Sequence, residues 1–232
     1  MWSFHRGVRD GLPIGLGYFS VSIGFGLLAV SGGLTLLQAV LISMCNLTSA
    51  GQMAGVNVMF AGGTLVEMAV SQGVINLRYA LMSLSLSQKL DDSMTLPHRL
   101  AWSFFNTDEI FAVASGQTGS VGRSYLYGLA VLPYLGWALG TLTGAAAGMV
   151  LPGPLRDGLG IAIYGMFLAI IVPPARAQRP IRLAVLLAIA LRCALYYLPG
   201  LREISGGFAV VLSAVAVCTL CALKYPIREA DT

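Results

Sequence analysis

Arg78 stands inside a long apolar stretch, in the run Val74-Ile75-Asn76-Leu77-Arg78-Tyr79-Ala80-Leu81-Met82, with no acid alongside. Further along comes a second polar insertion, Asn106-Thr107-Asp108-Glu109, again between apolar residues. An ionised side chain at the centre of a bilayer costs ~2.5–3.5 kcal/mol on insertion scales and more by simulation, so such groups persist only where they face protein, water or a solute. A guanidinium is a planar fork that holds a carboxylate through two parallel hydrogen bonds, which suits an amino acid or organic acid as solute. The alternative for Arg78 is a structural pairing with a fixed acid or a helix C-terminus.

Asp108 and Glu109 are candidates for proton coupling or gating, because a poorly hydrated carboxyl group can hold and release a proton. Neighbours on a helix point about 100° apart, so one acid can turn toward Arg78 while the other takes a different role. They also read as the first turn of a helix capped by Thr107, where the helix dipole favours acids. Glu67 is a third coupling or gating candidate. It shares Arg78's helical face but lies about 16 Å away along a straight helix, too far to pair.

Asn46, Ser49, Gln52 and Asn76 complete the candidate solute ligands, as neutral groups able to read an α-amino or carboxylate group. Each also reads as hydrogen-bonding glue between helices. The run Asn46-Leu47-Thr48-Ser49-Ala50-Gly51-Gln52 interrupts the apolar stretch 34–62. It predicts two short helices, 35–47 and 52–61, around a break at about 46–51. Non-helical backbone at membrane depth is tolerated only where it is buried in protein or lines a cavity. Transporters use such breaks to aim N–H groups at an anionic part of the substrate; a tight, lipid-facing turn is the plainer alternative.

The elements that must position these residues are membrane helices. The chain has 232 residues, of which 56% are hydrophobic and only 10% charged, with a mean hydropathy of +0.78. Soluble domains carry about a quarter charged residues, so this chain has too few to cover a water-facing surface. Apolar segments fall at 12–31, 34–62, 64–88, 99–116, 125–149, 158–174, 181–199 and 207–223. They are helix-length and lack the alternation of a barrel strand. The expected fold is an all-α polytopic bundle of about seven to eight membrane segments in one domain, 1–232, with 99–116 either spanning or re-entrant. Arg6 and Arg9 with an apolar run after them resemble a signal peptide, but Leu12 to Val30 is long enough to span and reads as a retained first helix. Basic residues at both ends and in the 175–182 loop place both termini in the cytoplasm.

The two halves, 1–120 and 121–232, read as a possible internal repeat. Leu12-Pro13 opens the first segment and Leu132-Pro133 lies early in the fifth, while Leu77-Arg78-Tyr79-Ala80-Leu81 matches Leu191-Arg192-Cys193-Ala194-Leu195. Repeat-built transporters commonly bind solute at the interface of such halves.

Enzyme chemistry finds no footing. His5 and His98 are the only histidines, and no H-E-x-x-H, G-x-S-x-G or phosphate-binding G-x-x-x-x-G-K-[ST] occurs,. Cys218-x-x-Cys221 has no second pair or nearby histidine to complete a metal site, so no metal or cofactor is expected. The net charge of +4 comes without a basic, aromatic-interleaved patch, so no nucleic acid is expected as a partner. Transport by this chain would be secondary or passive.

Taken together, these residues resemble the AzlC-type branched-chain amino acid permease family. The resemblance rests on Leu12-Pro13-Ile14-Gly15-Leu16-Gly17-Tyr18 with Gly24-Phe25-Gly26, on Ser49-Ala50-Gly51-Gln52, on Ile75-Asn76-Leu77-Arg78-Tyr79 and on Thr107-Asp108-Glu109. Ser20 stands where a proline often follows the Gly-Tyr, and Tyr79 where a histidine is common after Asn-Leu-Arg. The resemblance implies export of valine, leucine and isoleucine across a bacterial cytoplasmic membrane, together with a small four-helix AzlD-type partner subunit. The alternatives are a non-transport membrane subunit, a lipid-modifying enzyme, or a transporter of another small amino or organic acid.

Overall fold

The computed structural model describes residues 3–152, 154, 165, 168, 171–201 and 203–225. Among them the helices are α1 (Phe4–Ser31), α2 (Leu36–Cys45), α3 (Ser49–Phe60), α4 (Leu65–Ser87), α5 (Leu96–Ser103), α6 (Asp108–Ser115), α7 (Arg123–Val150), α8 (Arg179–Tyr197) and α9 (Gly206–Lys224). Residues 171–177 are also helical. The only extended pairing among the described residues is a single bridge, Leu90 to Val121. Among the described residues four helices, α1, α7, α8 and α9, are long and apolar enough to cross a membrane. The expected segment 158–174 falls mostly outside the described residues.

Contacts gather the chain into two compact units, Met1–Met53 with Asn76–Ile163, and Ala54–Ile75 with Tyr164–Thr232. The spine of the first is a close pair, α1 and α7. Glycines allow it: a Cβ at Gly11 would run into the Leu129 backbone, one at Gly136 into Gly15, one at Gly140 into Phe19, and one at Gly144 into Ile23. The partners advance together along both helices, so α1 and α7 run parallel. Without side chains between them the two backbones pack directly, the arrangement that stabilises helix pairs where lipid offers no hydrophobic driving force. Each helix is 28 residues long and carries a proline inside it, Pro13 in α1 and Pro133 in α7. α1 begins at Phe4, well before the apolar run at Leu12, because the Ser3 hydroxyl caps it by accepting from the Arg6 N–H.

Two stretches in this unit are broken. The first is the expected one, but shorter: α2 ends at Cys45 and α3 begins at Ser49, leaving 46–48 non-helical. Asn46 ends α2 in an extended conformation, and its Oδ1 accepts from the Thr48 N–H at 3.2 Å. Thr48 then supplies the first carbonyl of α3, to the Gln52 N–H at 2.8 Å. Ser49 to Gln52 therefore form the first turn of α3, where small and polar residues suit a helix start. Leu47 is buried against Tyr18 and Trp137, so the break is covered by protein.

The second break lies inside the segment expected at 99–116. That segment is two helices of eight residues, α5 and α6, separated at 104–107. Each spans about 12 Å, well short of a ~30 Å hydrocarbon core. Asn106 and Thr107 bond through their side chains to other elements, the competition with helix backbone that such residues favour.

In the second unit α8 and α9 pack on each other across a turn where Gly200 has φ +85°. Glu67, 4% exposed, accepts from the Ser205 hydroxyl at 2.6 Å and the Gly207 N–H at 2.7 Å. Its carboxylate thus sits on the N-terminal end of α9, where a negative charge meets the helix dipole.

Candidate functional site

The two breaks of the first unit border a half-open cavity of about 250 Å³. Asn46, Leu47 and Thr48 line it from one break, and Phe104, Asn106 and Thr107 from the other. Asn76 and Tyr79 of α4 close a third side. No lining side chain carries a formal charge. Polarity comes from amides, hydroxyls and helix ends: α2 ends at Asn46 and α5 at Phe104, while α3 starts after Thr48 and α6 after Thr107. Two positive and two negative helix ends therefore meet at one neutral cavity. That combination suits a small solute bearing both charges better than an anion or a cation.

The ionised groups stand beside the cavity. Arg78 pairs with Asp108, Nη1 to Oδ2 at 2.5 Å, each side chain a little under half exposed. Its Nη2 also donates to the hydroxyl of Tyr79 at 3.1 Å, with the guanidinium 4.9 Å from the centre of that ring. Glu109 turns to a different partner, as the angle between neighbours on a helix requires. Its carboxylate accepts from the Tyr18 hydroxyl. With its single hydrogen used there, Tyr18 accepts from the Thr107 hydroxyl, 2.7 Å away,. Thr107 occupies the N-cap position of α6 without capping it; its hydroxyl bonds Tyr18 of α1.

A second polar chain lies deeper. Gln52, 1% exposed, donates through Nε2 to Ser43 Oγ at 3.1 Å and accepts from Trp137 Nε1 at 2.8 Å. Ser43 in turn is 2.7 Å from Thr141 Oγ1. The chain ties α2 and α3, on either side of the first break, to α7. Trp137 meets the edge of Tyr18, ring centres 5.2 Å apart, which links both polar chains through one aromatic contact.

The expected site residues therefore divide into groups. Asn46 and Asn76 are in the cavity wall; Arg78, Asp108 and Glu109 are not part of it but adjoin wall residues Tyr79 and Thr107. Arg78 meets a fixed acid through one nitrogen of its fork, Nη1 to Asp108, and Tyr79 through the other. Gln52 and Ser49 are not in the wall: Gln52 faces the helix pair, and Ser49 belongs to the first turn of α3. Glu67, expected to couple or gate with the other acids, caps α9 of the second unit instead. Tyr18, Thr48, Asn106 and Trp137 were not assigned roles from sequence. Tyr18 and Asn106 stood in runs already singled out, whereas nothing local marks Trp137.

The protein family described as AzlC protein matches residues 13–151. The chain is 28% identical over 194 residues to inner membrane protein YgaZ of Escherichia coli, covering 81% of this chain and 78% of that one. It is 29% identical over 184 residues to an uncharacterized membrane protein of Archaeoglobus fulgidus, covering 78% and 80%. A Helicobacter pylori membrane protein, also uncharacterized, is 24% identical over 155 residues, covering 64% and 67%. No solved structure matches.

Proposed function

The chain belongs to the AzlC family of membrane proteins, and from that premise we propose that it is a secondary transporter exporting branched-chain amino acids with a small AzlD-type partner subunit. The observation that carries this reading is the neutral cavity of about 250 Å³ between two helix breaks. A zwitterion needs a place for a carboxylate and an ammonium with no net charge around them. Helix N-termini at Thr48 and Thr107 serve the carboxylate; the carbonyls ending α2 and α5 and the oxygens of Asn46 and Asn76 serve the ammonium. Leu47 and Phe104 offer apolar surface to an aliphatic side chain. The cavity lies just below the ~300–1,000 Å³ of pockets for drug-sized ligands, in keeping with a small solute.

In this account Arg78 and Asp108 form an internal pair beside the site, and Asp108 or Glu109 carries a coupled proton. The full bundle has seven to eight membrane segments, with both termini cytoplasmic. α1 and α7 are corresponding helices of two repeated halves, a reading supported by their parallel packing and by Pro13 and Pro133.

Counterflow of labelled valine in proteoliposomes, with and without the small partner, tests the proposal. Accelerated valine exchange that needs the partner is the expected result. No exchange under either condition, with folded protein, returns the chain to a non-transport role.

A further inference from the structure

Next to the large cavity lies a smaller one of about 70 Å³. Ser103 and Asn106 belong to the walls of both. Besides the apolar Leu86, Leu90 and Met94, the small chamber is lined by Ser83, Ser87, Arg99 and Trp102. Since liquid water occupies ~30 Å³ per molecule, it has room for about two waters and for no amino acid as it stands.

Asn106 is 2% exposed. Its Nδ2 donates to Ser83 Oγ at 3.0 Å, which pins the amide to α4 across the small chamber. Its Oδ1 has no hydrogen-bond partner among the described residues, and neither does Nε1 of Trp102, 3% exposed. A buried donor and a buried acceptor left unmade are costly, and here both belong to residues that line the same small space. Such a pair suits a polar group that comes and goes. Asn106 also lies in the non-helical stretch 104–107, where the backbone can turn without breaking a helical ladder.

We infer that the two cavities are consecutive chambers of one solute path and that Asn106, latched to Ser83, is the gate between them. The inference rests on the transport reading of the larger cavity. When the latch opens, the chambers merge, the amide oxygen of Asn106 meets the solute's ammonium, and the indole N–H of Trp102 meets its carboxylate. Asn106 is thus both barrier and ligand, and no charged residue is needed at the narrowest point.

Thiol labelling in proteoliposomes tests this without depending on transport, in a background where Cys45, Cys193, Cys218 and Cys221 are replaced. Thr48→Cys reports the larger chamber and Ser87→Cys the smaller; Ser87 bonds only within its own helix. A membrane-impermeant methanethiosulfonate is applied from the face that reaches Thr48→Cys. From that face Ser87→Cys should react slowly, and Asn106→Ala should speed it about fivefold to tenfold, the change expected for one hydrogen bond. Ser83→Ala opens the latch from its other side and should do the same, so a poorly folding Asn106 variant does not decide the matter. Equal Ser87→Cys rates in parent and both variants overturn the gate. If the rates rise as expected but valine neither exchanges nor slows Thr48→Cys labelling, the chambers stand and the transport reading is what fails.

Discussion

The two helix breaks border one cavity but are held in opposite ways. At 46–48 the flanking helices are tied down by neutral side chains, Ser43 and Gln52, to Thr141 and Trp137 of α7. At 104–107 the holding groups are an ion pair, a carboxylate–phenol contact and a single amide bond to Ser83. Asn106 Oδ1 and the neighbouring Trp102 Nε1 have no partner there among the described residues. One break is anchored by neutral side chains to α7; the other is held to α1 through Tyr18 and to α4 through Arg78 and Ser83, in part by groups that a proton or a solute can release. A site that must open and close needs both, a fixed wall to define the solute and a movable one to let it through.

The largest expected effect is on the anchored break. Gln52→Leu strands the indole N–H of Trp137, which costs ~1–3 kcal/mol when buried without a partner, and removes one of the two bonds at Ser43, whose contact with Thr141 stays,. Thermal unfolding in detergent should show a strong loss of stability. Asn106→Leu loses one bond of ~0.5–1.5 kcal/mol but also removes an unpaired acceptor, so its stability should change far less. Equal destabilisation by the two substitutions would erase the contrast between the breaks.

Next in size is the ion pair. Arg78→Gln leaves Asp108 without its cation and should cut transport sharply, and Asp108→Asn should act likewise. The double variant should recover part of the loss, with a coupling of about 0.5–3 kcal/mol typical of contacting residues. Additive losses would mean that Arg78 serves the solute directly. A subtler effect separates the two acids. If one carries the coupled proton, its amide variant keeps more of its valine exchange than of its gradient-driven transport, while the other acid's variant changes the two rates in the same proportion. Parallel loss of both rates in Asp108→Asn and Glu109→Gln would return the acids to a structural role at the start of α6.

Much of this arrangement was legible in the residues themselves. Asn46 to Gln52 marked the first break, because polar and small residues in an apolar run can only be tolerated where the backbone leaves lipid. The second break was hidden, since Asn106 and Thr107 read equally well as a polar face or a cap on one continuous helix. Only their distant partners, Ser83 and Tyr18, settle the choice, and pairing across such separations leaves no local pattern. For the same reason nothing near Gln52 in the sequence marked Trp137 as the donor to its carbonyl. Glu67 shared a helical face with Arg78, but its partner lay at Ser205, far along the chain. Periodicity places a residue on a face; it does not say which neighbour arrives there.

The central claim, that the cavity between the breaks is where the solute sits, is tested most directly by protection of Thr48→Cys. In the cysteine-free background, L-valine should slow the reaction of Thr48→Cys with a methanethiosulfonate. The half-protecting concentration should equal the concentration giving half-maximal valine counterflow in the same proteoliposomes. Full counterflow with an unchanged Thr48→Cys reaction rate at saturating valine would contradict the account and send the solute by another route.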